Sequence, residues 1–174
     1  MIAALLLSLF TLWTPAAKVA SNTAALPSDP YAPLRLYDGK WDLVPASSGK
    51  AAETVHLENH CAKVGEFFAC DQIVNGKNTA LVVFLPVGPL ENGGYAYRNQ
   101  ALWMERSGAG SWGNLEIVGD RWVYSSEETD NGKKIYHRTN NVFSGTDKIH
   151  FEVQRSDDGA KWTTTMSGDE ARVK

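Results

Sequence analysis

The sequence predicts an all-β protein built as a single antiparallel up-and-down barrel of about 8–10 strands. Turn signals rich in Gly, Asn and Asp recur at intervals of roughly 8–12 residues, and no long helical period lies between them. Segments such as Ile149–Gln154 alternate apolar and polar residues, which indicates strands with one buried face. No obvious Lys or Pro stands in the middle of a predicted strand, where it would keep an exposed sheet edge from pairing with another chain. A closed barrel has no exposed edge, which explains why no such protection is needed.

Residues 1–25 are predicted to be a secretory signal peptide. The apolar run Met1–Trp13 is shorter than the roughly 20 residues that a membrane-spanning helix needs. Thr14-Pro15 ends the run, and small-residue cleavage sites follow, of which we take the one after Ala25. An uncleaved anchor is the alternative. The expected location is therefore periplasmic or extracellular, with no membrane span after cleavage.

Residues 26–33 are expected to form an irregular spacer, because three prolines in this segment leave little room for a helix or a paired strand. Residues 34–174 then form the single barrel domain. Removing residues 1–25 takes away one lysine and no acid, so the net charge moves from −3 to −4. The chain carries no basic stripe, which argues against nucleic acid or an anionic membrane surface as the main partner. No cofactor is expected.

The two cysteines, Cys61 and Cys70, are predicted to form a disulfide, as is usual for a close pair in an oxidising compartment. A two-residue hairpin turn at Gly65-Glu66 would place them directly opposite each other. They would then occupy a non-hydrogen-bonded pair, where the Cα atoms lie about 4.5 Å apart, close enough for a disulfide. Two free buried thiols are the alternative.

The motif Gly39-Lys40-Trp41 stands at the head of the first predicted strand. A Gly-x-Trp at this position resembles the start of lipocalin-like (calycin-type) barrels, in particular small secreted bacterial β-barrel proteins. The resemblance implies that Trp41 closes one end of the barrel and that Gly39 lets the backbone pass close by. It also implies that a basic residue of the last strand, here Arg172, packs across Trp41.

The stretch Ala80–Leu85 is apolar at every position. This pattern predicts a strand covered on both faces, either by a second copy of the chain in a homodimer or by the Leu26–Pro33 segment or a local loop.

A polar strand, Tyr136–Val142, supplies the candidate ligand anchor. Its residues Tyr136, Arg138 and Asn140 share one face. If this face lines the barrel interior, Arg138 suits an unknown, carboxylate-bearing small molecule. The alternative is a structural cation–π contact of Arg138 with Trp122 or Trp41. The aromatic wall of the predicted site consists of Trp41, Trp103, Trp122, Tyr124, Tyr136 and Phe151, with Asn140 beside the anchor.

Three residues that share one side of a strand, His56, Glu58 and His60, are the weak candidates for a metal site. The two histidines would lie about 13 Å apart on an extended strand, so a solvated polar face is the favoured interpretation. No cluster of titratable residues suited to catalysis is evident. The expected function is therefore non-catalytic binding of a small, partly apolar ligand in the barrel mouth. A surface-mediated interaction or inhibitor module without a ligand pocket is the alternative.

Overall fold

The computed structural model describes residues 29–46, 53–106 and 110–174. Their architecture is a closed barrel of ten strands preceded by a short 3₁₀ helix, Pro33–Tyr37. A second 3₁₀ helix, Met104–Arg106, follows the fifth strand. The strands are β1 (Gly39–Pro45), β2 (Val55–Val64), β3 (Phe67–Val74), β4 (Lys77–Pro89), β5 (Tyr95–Trp103), β6 (Gly110–Val118), β7 (Arg121–Asp130), β8 (Lys133–Ser144), β9 (Lys148–Ser156) and β10 (Thr163–Arg172).

Every strand pairs antiparallel with its neighbour in sequence, and β1 pairs with β10 to close the sheet. This confirms the predicted up-and-down barrel. Two of the hairpins turn at Asn-Gly pairs, Asn75-Gly76 and Asn131-Gly132, in which both residues have positive φ angles of 49° to 79°. Such angles are those of type I′ turns, which match the twist of the flanking strands.

The disulfide between Cys61 and Cys70 is confirmed, with the two Cα atoms 4.0 Å apart. The β2–β3 ladder runs from Val64 opposite Phe67 to Leu57 opposite Val74, and the two cysteines face each other within it. The bridge therefore joins two strands that are already paired, and it fixes the register of one hairpin.

The N-terminal segment Asp29–Tyr37 closes one end of the barrel, which we call the base. Tyr31 and Leu34 are almost fully buried there. The Tyr31 ring stacks on Phe68 with centroids 5.7 Å apart, and the Tyr97 hydroxyl donates a hydrogen bond to the Pro30 carbonyl. The last residues of the predicted spacer thus pack against the barrel, whereas residues 1–25 and the start of the spacer lie outside the described residues.

Arg172 holds the base together. Its guanidinium donates to the carbonyl oxygens of Leu36 (2.5 Å), Asp38 (2.7 Å) and Thr146 (3.0 Å), and its Cζ lies 4.2 Å from the centre of the Trp41 ring. A Cβ atom on Gly39 would lie 2.8 Å from Arg172 Nη1, and Gly39 has a φ of +111°. Glycine is therefore required at this position both by the guanidinium and by the backbone angle.

Large side chains fill the part of the barrel above the base. Trp41, Trp122, Tyr97 and Phe68 are among the largest fully buried residues. Trp122 packs against Phe143 with ring centroids 4.6 Å apart. Aromatic side chains of this size bury a large apolar area each and dominate the stability of a small core.

The apolar side chains of β4 alternate between the inner and the outer face of the barrel wall. Ala80 and Phe84 are buried inside the barrel, whereas Leu81, Val83 and Leu85 alternate with them on the outer face. Leu81 and Val83 are half-buried and Leu85 is exposed. The outer face of this strand is therefore an apolar surface, and a homodimer through it remains a prediction.

Replacing Arg172 with lysine should lower the free energy of unfolding by about 2 kcal/mol, because lysine cannot reach three carbonyls and stack on Trp41 at once. Urea unfolding followed by tryptophan fluorescence measures this change. The control is Arg155→Lys, which alters only an exposed ion pair with Asp157 and should cost less than about 0.5 kcal/mol. Equal losses in the two variants would contradict the role assigned to Arg172.

Candidate functional site

The barrel wall parts between β6 and β7 at the end opposite the base. The two strands pair from Val118 opposite Arg121 as far as Gly113 opposite Ser126. Beyond this point β6 stays paired with β5 as far as Gly110, and β7 stays paired with β8 as far as Asp130. Because each strand follows its other neighbour, the two strands diverge and side chains from both faces of the wall meet in the gap.

A groove of about 950 Å³ lies at this gap, within the range of roughly 300–1,000 Å³ that is typical of small-molecule sites. We call it the β6–β7 groove. Its described lining consists of four aromatic residues, seven polar or charged residues and three glycines: Trp103, Trp112, Tyr136, Trp162, Arg98, Asn114, Ser125, Ser126, Glu127, Glu128, His137, Gly110, Gly113 and Gly159.

Two of the tryptophans that line the groove are backed by arginines. Arg98 Cζ lies 5.7 Å from the centre of the Trp112 ring, and Arg138 Cζ lies 4.1 Å from the centre of the Trp162 ring. A guanidinium covers one face of an indole and restrains its rotation. Trp112 is nevertheless 58% exposed, so most of this ring remains open to a ligand.

The carboxylates of the groove have side-chain partners. Glu127 accepts from Lys134 Nζ at 3.1 Å, and Glu128 Oε1 lies 3.0 Å from His137 Nε2. The negative charges of Glu127 and Glu128 thus lie near the positive charges of Lys134 and of Arg98, which also lines the groove. Exposed pairs of this kind contribute little to stability, so they are compatible with rearrangement when a ligand arrives.

A small recess of about 70 Å³ extends from the groove toward the barrel interior. It shares four residues with the groove, Gly113, Ser125, Ser126 and His137, and is also lined by Asn99, Tyr124, Arg138 and Thr139. The Oδ1 atom of Asn99 is buried and has no hydrogen-bond partner among the described residues. A buried polar atom without a partner is costly, so the recess offers a place where a small polar group would be stabilised.

The structure establishes the orientation of β8, which the sequence analysis left open. Ile135 and Phe143 are buried inside the barrel, and His137, Thr139 and Asn141 share their face. The opposite face, with Tyr136, Arg138 and Asn140, therefore lies on the outside. The burial of Ile135 and Phe143 decides the orientation, because a strand can present only one of its two faces to the core.

Arg138 and Asn140 consequently belong to an outer-wall network rather than to the barrel interior. Arg138 donates to Gln154 Oε1 from Nε (2.9 Å) and Nη2 (2.6 Å), and Asn140 Nδ2 donates to the same oxygen at 3.1 Å. The cation–π partner of Arg138 is Trp162, not Trp122 or Trp41. Arg138 is not among the residues that line the β6–β7 groove itself, but it lines the adjoining recess and covers one face of Trp162.

The remaining predicted ligand residues divide between the core and the groove. Trp41, Trp122 and Phe151 are buried in the packed core, and Tyr124 lines only the inner recess. Trp103 and Tyr136 line the groove. The sequence interpretation missed Trp112, which lies between glycines at the start of β6, and Trp162, which follows a turn signal at Asp157-Asp158-Gly159.

The weak metal candidates lie on the outer face of β2 and have different partners. His56 Nδ1 lies 2.7 Å from Asp42 Oδ1, whereas His60 Nε2 lies 3.1 Å from Glu58 Oε1. Lys40 also pairs with Glu58, at 3.3 Å. Among the described residues, no three histidine, cysteine or acidic side chains come together in a way that could hold a metal ion.

A buried carboxyl group, that of Glu170, lies inside the barrel below the groove. Glu170 is only 5% exposed, and its Oε2 atom has no hydrogen-bond partner in the described part of the chain. Burial raises the pKa of Glu170 to about 7. The pKa values of Tyr37 and Tyr124 are also raised, mainly by burial and further by the charge of Glu170.

No model of a known protein family matches this chain, and no curated protein is significantly similar to it in sequence. The closed antiparallel barrel is consistent with the lipocalin-like architecture that Gly39-Lys40-Trp41 suggests. None of the helices in the described residues has the length and apolar character of a membrane span.

Stability should fall as the pH rises from about 4.5 to about 7, since the folded chain retains a proton on Glu170 that the unfolded chain has released. Glu170→Gln should remove this fall, which amounts to about 3 kcal/mol by linkage. We expect the variant to match the parent near the lower pH and to exceed it above the upper one. Urea unfolding across this range tests the prediction.

The exposed substitution Glu116→Gln on the outer face of β6 controls for the loss of one negative charge. If the difference between Glu170→Gln and the parent were the same at both ends of the pH range, Glu170 would not titrate as described.

Proposed function

We propose that this chain is an exported, non-catalytic, lipocalin-like binding protein that takes up a small, partly apolar molecule at the barrel mouth. The β6–β7 groove is the site. Signal cleavage would deliver the barrel to the periplasm or the exterior, and a structural disulfide is compatible with an oxidising compartment.

The observation that carries this proposal is the grouping of four aromatic side chains around one groove. Tryptophans are rarely left exposed on a small domain without a role, because burying one contributes more than burying most other residues. Here Trp103, Trp112 and Trp162 all line a groove of ligand size, and arginines hold two of them in place.

The barrel interior is a weaker candidate for the site. The N-terminal segment occupies the base, and Trp41, Trp122 and Tyr97 fill the space above it. A ligand that entered there would have to displace packed aromatic rings, at a cost of several kcal/mol for each. The groove offers contact with aromatic rings without such displacement.

A neutral apolar fluorophore, N-phenyl-1-naphthylamine, tests the proposal. It should bind the full chain with enhanced emission, and Trp112→Ala should weaken the binding on the order of tenfold, because stacking on the exposed indole is lost. The matched control is Phe67→Ala, which removes an exposed aromatic ring near the base and should leave the affinity unchanged. An affinity that is the same in Trp112→Ala as in the parent would contradict the assignment of the site.

A surface-mediated interaction is the second candidate, and one observation favours it. Val64, Phe67, Leu85 and Val87 are all exposed, and the register of β2, β3 and β4 places them side by side on the outer wall near the base. Contiguous exposed apolar residues often mark an interface.

If this surface forms a homodimer, sedimentation velocity should show a dimer of the full chain that Leu85→Lys converts to monomer. Trp112→Ala should leave the dimer intact, because the groove lies at the other end of the barrel. A monomer at every concentration tested would rule out the homodimer.

A further inference from the structure

We infer that the β6–β7 groove binds a neutral saccharide, with a sugar ring stacked on Trp112 and a hydroxyl group directed toward Asn99. This inference rests on the proposed function, and it names the class of ligand. Three features of the groove support it: the kind of apolar surface, the balance of charge and the shape of the inner recess.

The apolar surface of the groove is entirely aromatic among its described residues. None of the lining residues that the structure describes has an aliphatic side chain. Acyl or isoprenoid chains are best buried by enclosed aliphatic and aromatic surfaces, and this groove does not offer them. One face of a pyranose ring, in contrast, presents C–H bonds that pack against the electron-rich face of an indole. The rings of Trp112 and Trp162 supply such faces.

The balance of charge disfavours an ionic ligand. Glu127 already pairs with Lys134, and Glu128 Oε1 lies within hydrogen-bond distance of His137 Nε2, so a cationic ligand would have to displace both contacts. An anion would meet both carboxylates. Among the described lining residues of the groove the guanidinium is that of Arg98, which stacks on Trp112, and that of Arg138 at the recess is held by Gln154 and Trp162. A neutral ligand avoids both penalties.

The polar groups of the groove suit hydroxyl groups, which both donate and accept. Asn114, Ser125 and Ser126 carry side chains with donor and acceptor capacity. At the inner end, Asn99 Oδ1 lacks a donor, and the adjoining recess of about 70 Å³ is large enough for a group the size of a hydroxymethyl. A sugar hydroxyl placed there would donate to Asn99 Oδ1 and satisfy it.

Saturation-transfer NMR of the full chain tests the inference with neutral oligosaccharides of glucose, mannose, galactose or N-acetylglucosamine, each offered separately. We expect at least one to receive saturation from the protein and to compete with N-phenyl-1-naphthylamine. Trp112→Ala should weaken its binding on the order of tenfold. Trp112→Phe should restore part of the affinity, because a smaller stacking face remains, and Phe67→Ala should bind like the parent. Circular dichroism verifies that each variant is folded.

The outcomes separate the inference from the proposed function. If the naphthylamine binds in a Trp112-dependent manner but none of the oligosaccharides binds at their solubility limit, the saccharide assignment is overturned and the groove remains a ligand site. If neither kind of probe binds in a Trp112-dependent manner, both are overturned. Oligosaccharide binding that is equal in Trp112→Ala and the parent also overturns the inference, because the sugar would then lie elsewhere.

Discussion

The guanidinium of Arg172 is the contact on which the closure of this barrel depends. It joins the 3₁₀ helix through the Leu36 carbonyl, the start of β1 through Asp38, and the β8–β9 turn through Thr146. The same group covers Trp41. Three parts of the chain that are distant in sequence, namely the segment Leu36–Trp41, the β8–β9 turn and the last strand, are thereby joined at one point. The Leu36 carbonyl is partly buried, so the guanidinium also removes the cost of leaving it unpaired. The absence of a side chain at Gly39 makes room for the guanidinium.

The closed base has a consequence for the position of the site. The N-terminal segment and the aromatic core occupy the lower part of the barrel, and the β6–β7 groove lies at the other end, where β6 and β7 are no longer paired. The ladders of β5 with β6 and of β7 with β8 hold the wall together on either side of the gap. The β6–β7 groove is thus a product of strand register, and the aromatic residues that line it come from four different strands or turns. Glu170 lies deeper inside the barrel than the groove. Its buried carboxyl group makes the stability of the barrel depend on pH, and we assign it no contact with a ligand.

The sequence was sufficient for the architecture and only partly sufficient for the site. Turn residues marked the hairpins, and counting outward from Gly65-Glu66 paired Cys61 with Cys70, because a two-residue turn sets the register of its hairpin. The orientation of β8 was left open, although the signal was present: Ile135 and Phe143 are an even number of residues apart and share a face with His137. The divergence of β6 from β7 could not be predicted, because the point where a ladder ends depends on the competing neighbours of each strand. Because that divergence was not known from the sequence, nothing indicated that Trp112 and Trp162 line the same groove.

The indole N–H signals of an isotope-labelled full chain provide the most direct test that the groove is the binding site. Trp103, Trp112 and Trp162 line the groove, whereas Trp41 and Trp122 are buried in the core, so the protein carries its own internal controls. During titration with N-phenyl-1-naphthylamine, the account predicts that the signals of the three groove indoles move and that those of Trp41 and Trp122 stay in place. Movement of the Trp41 and Trp122 signals, with the groove indoles unchanged, would place the ligand inside the barrel and contradict the account.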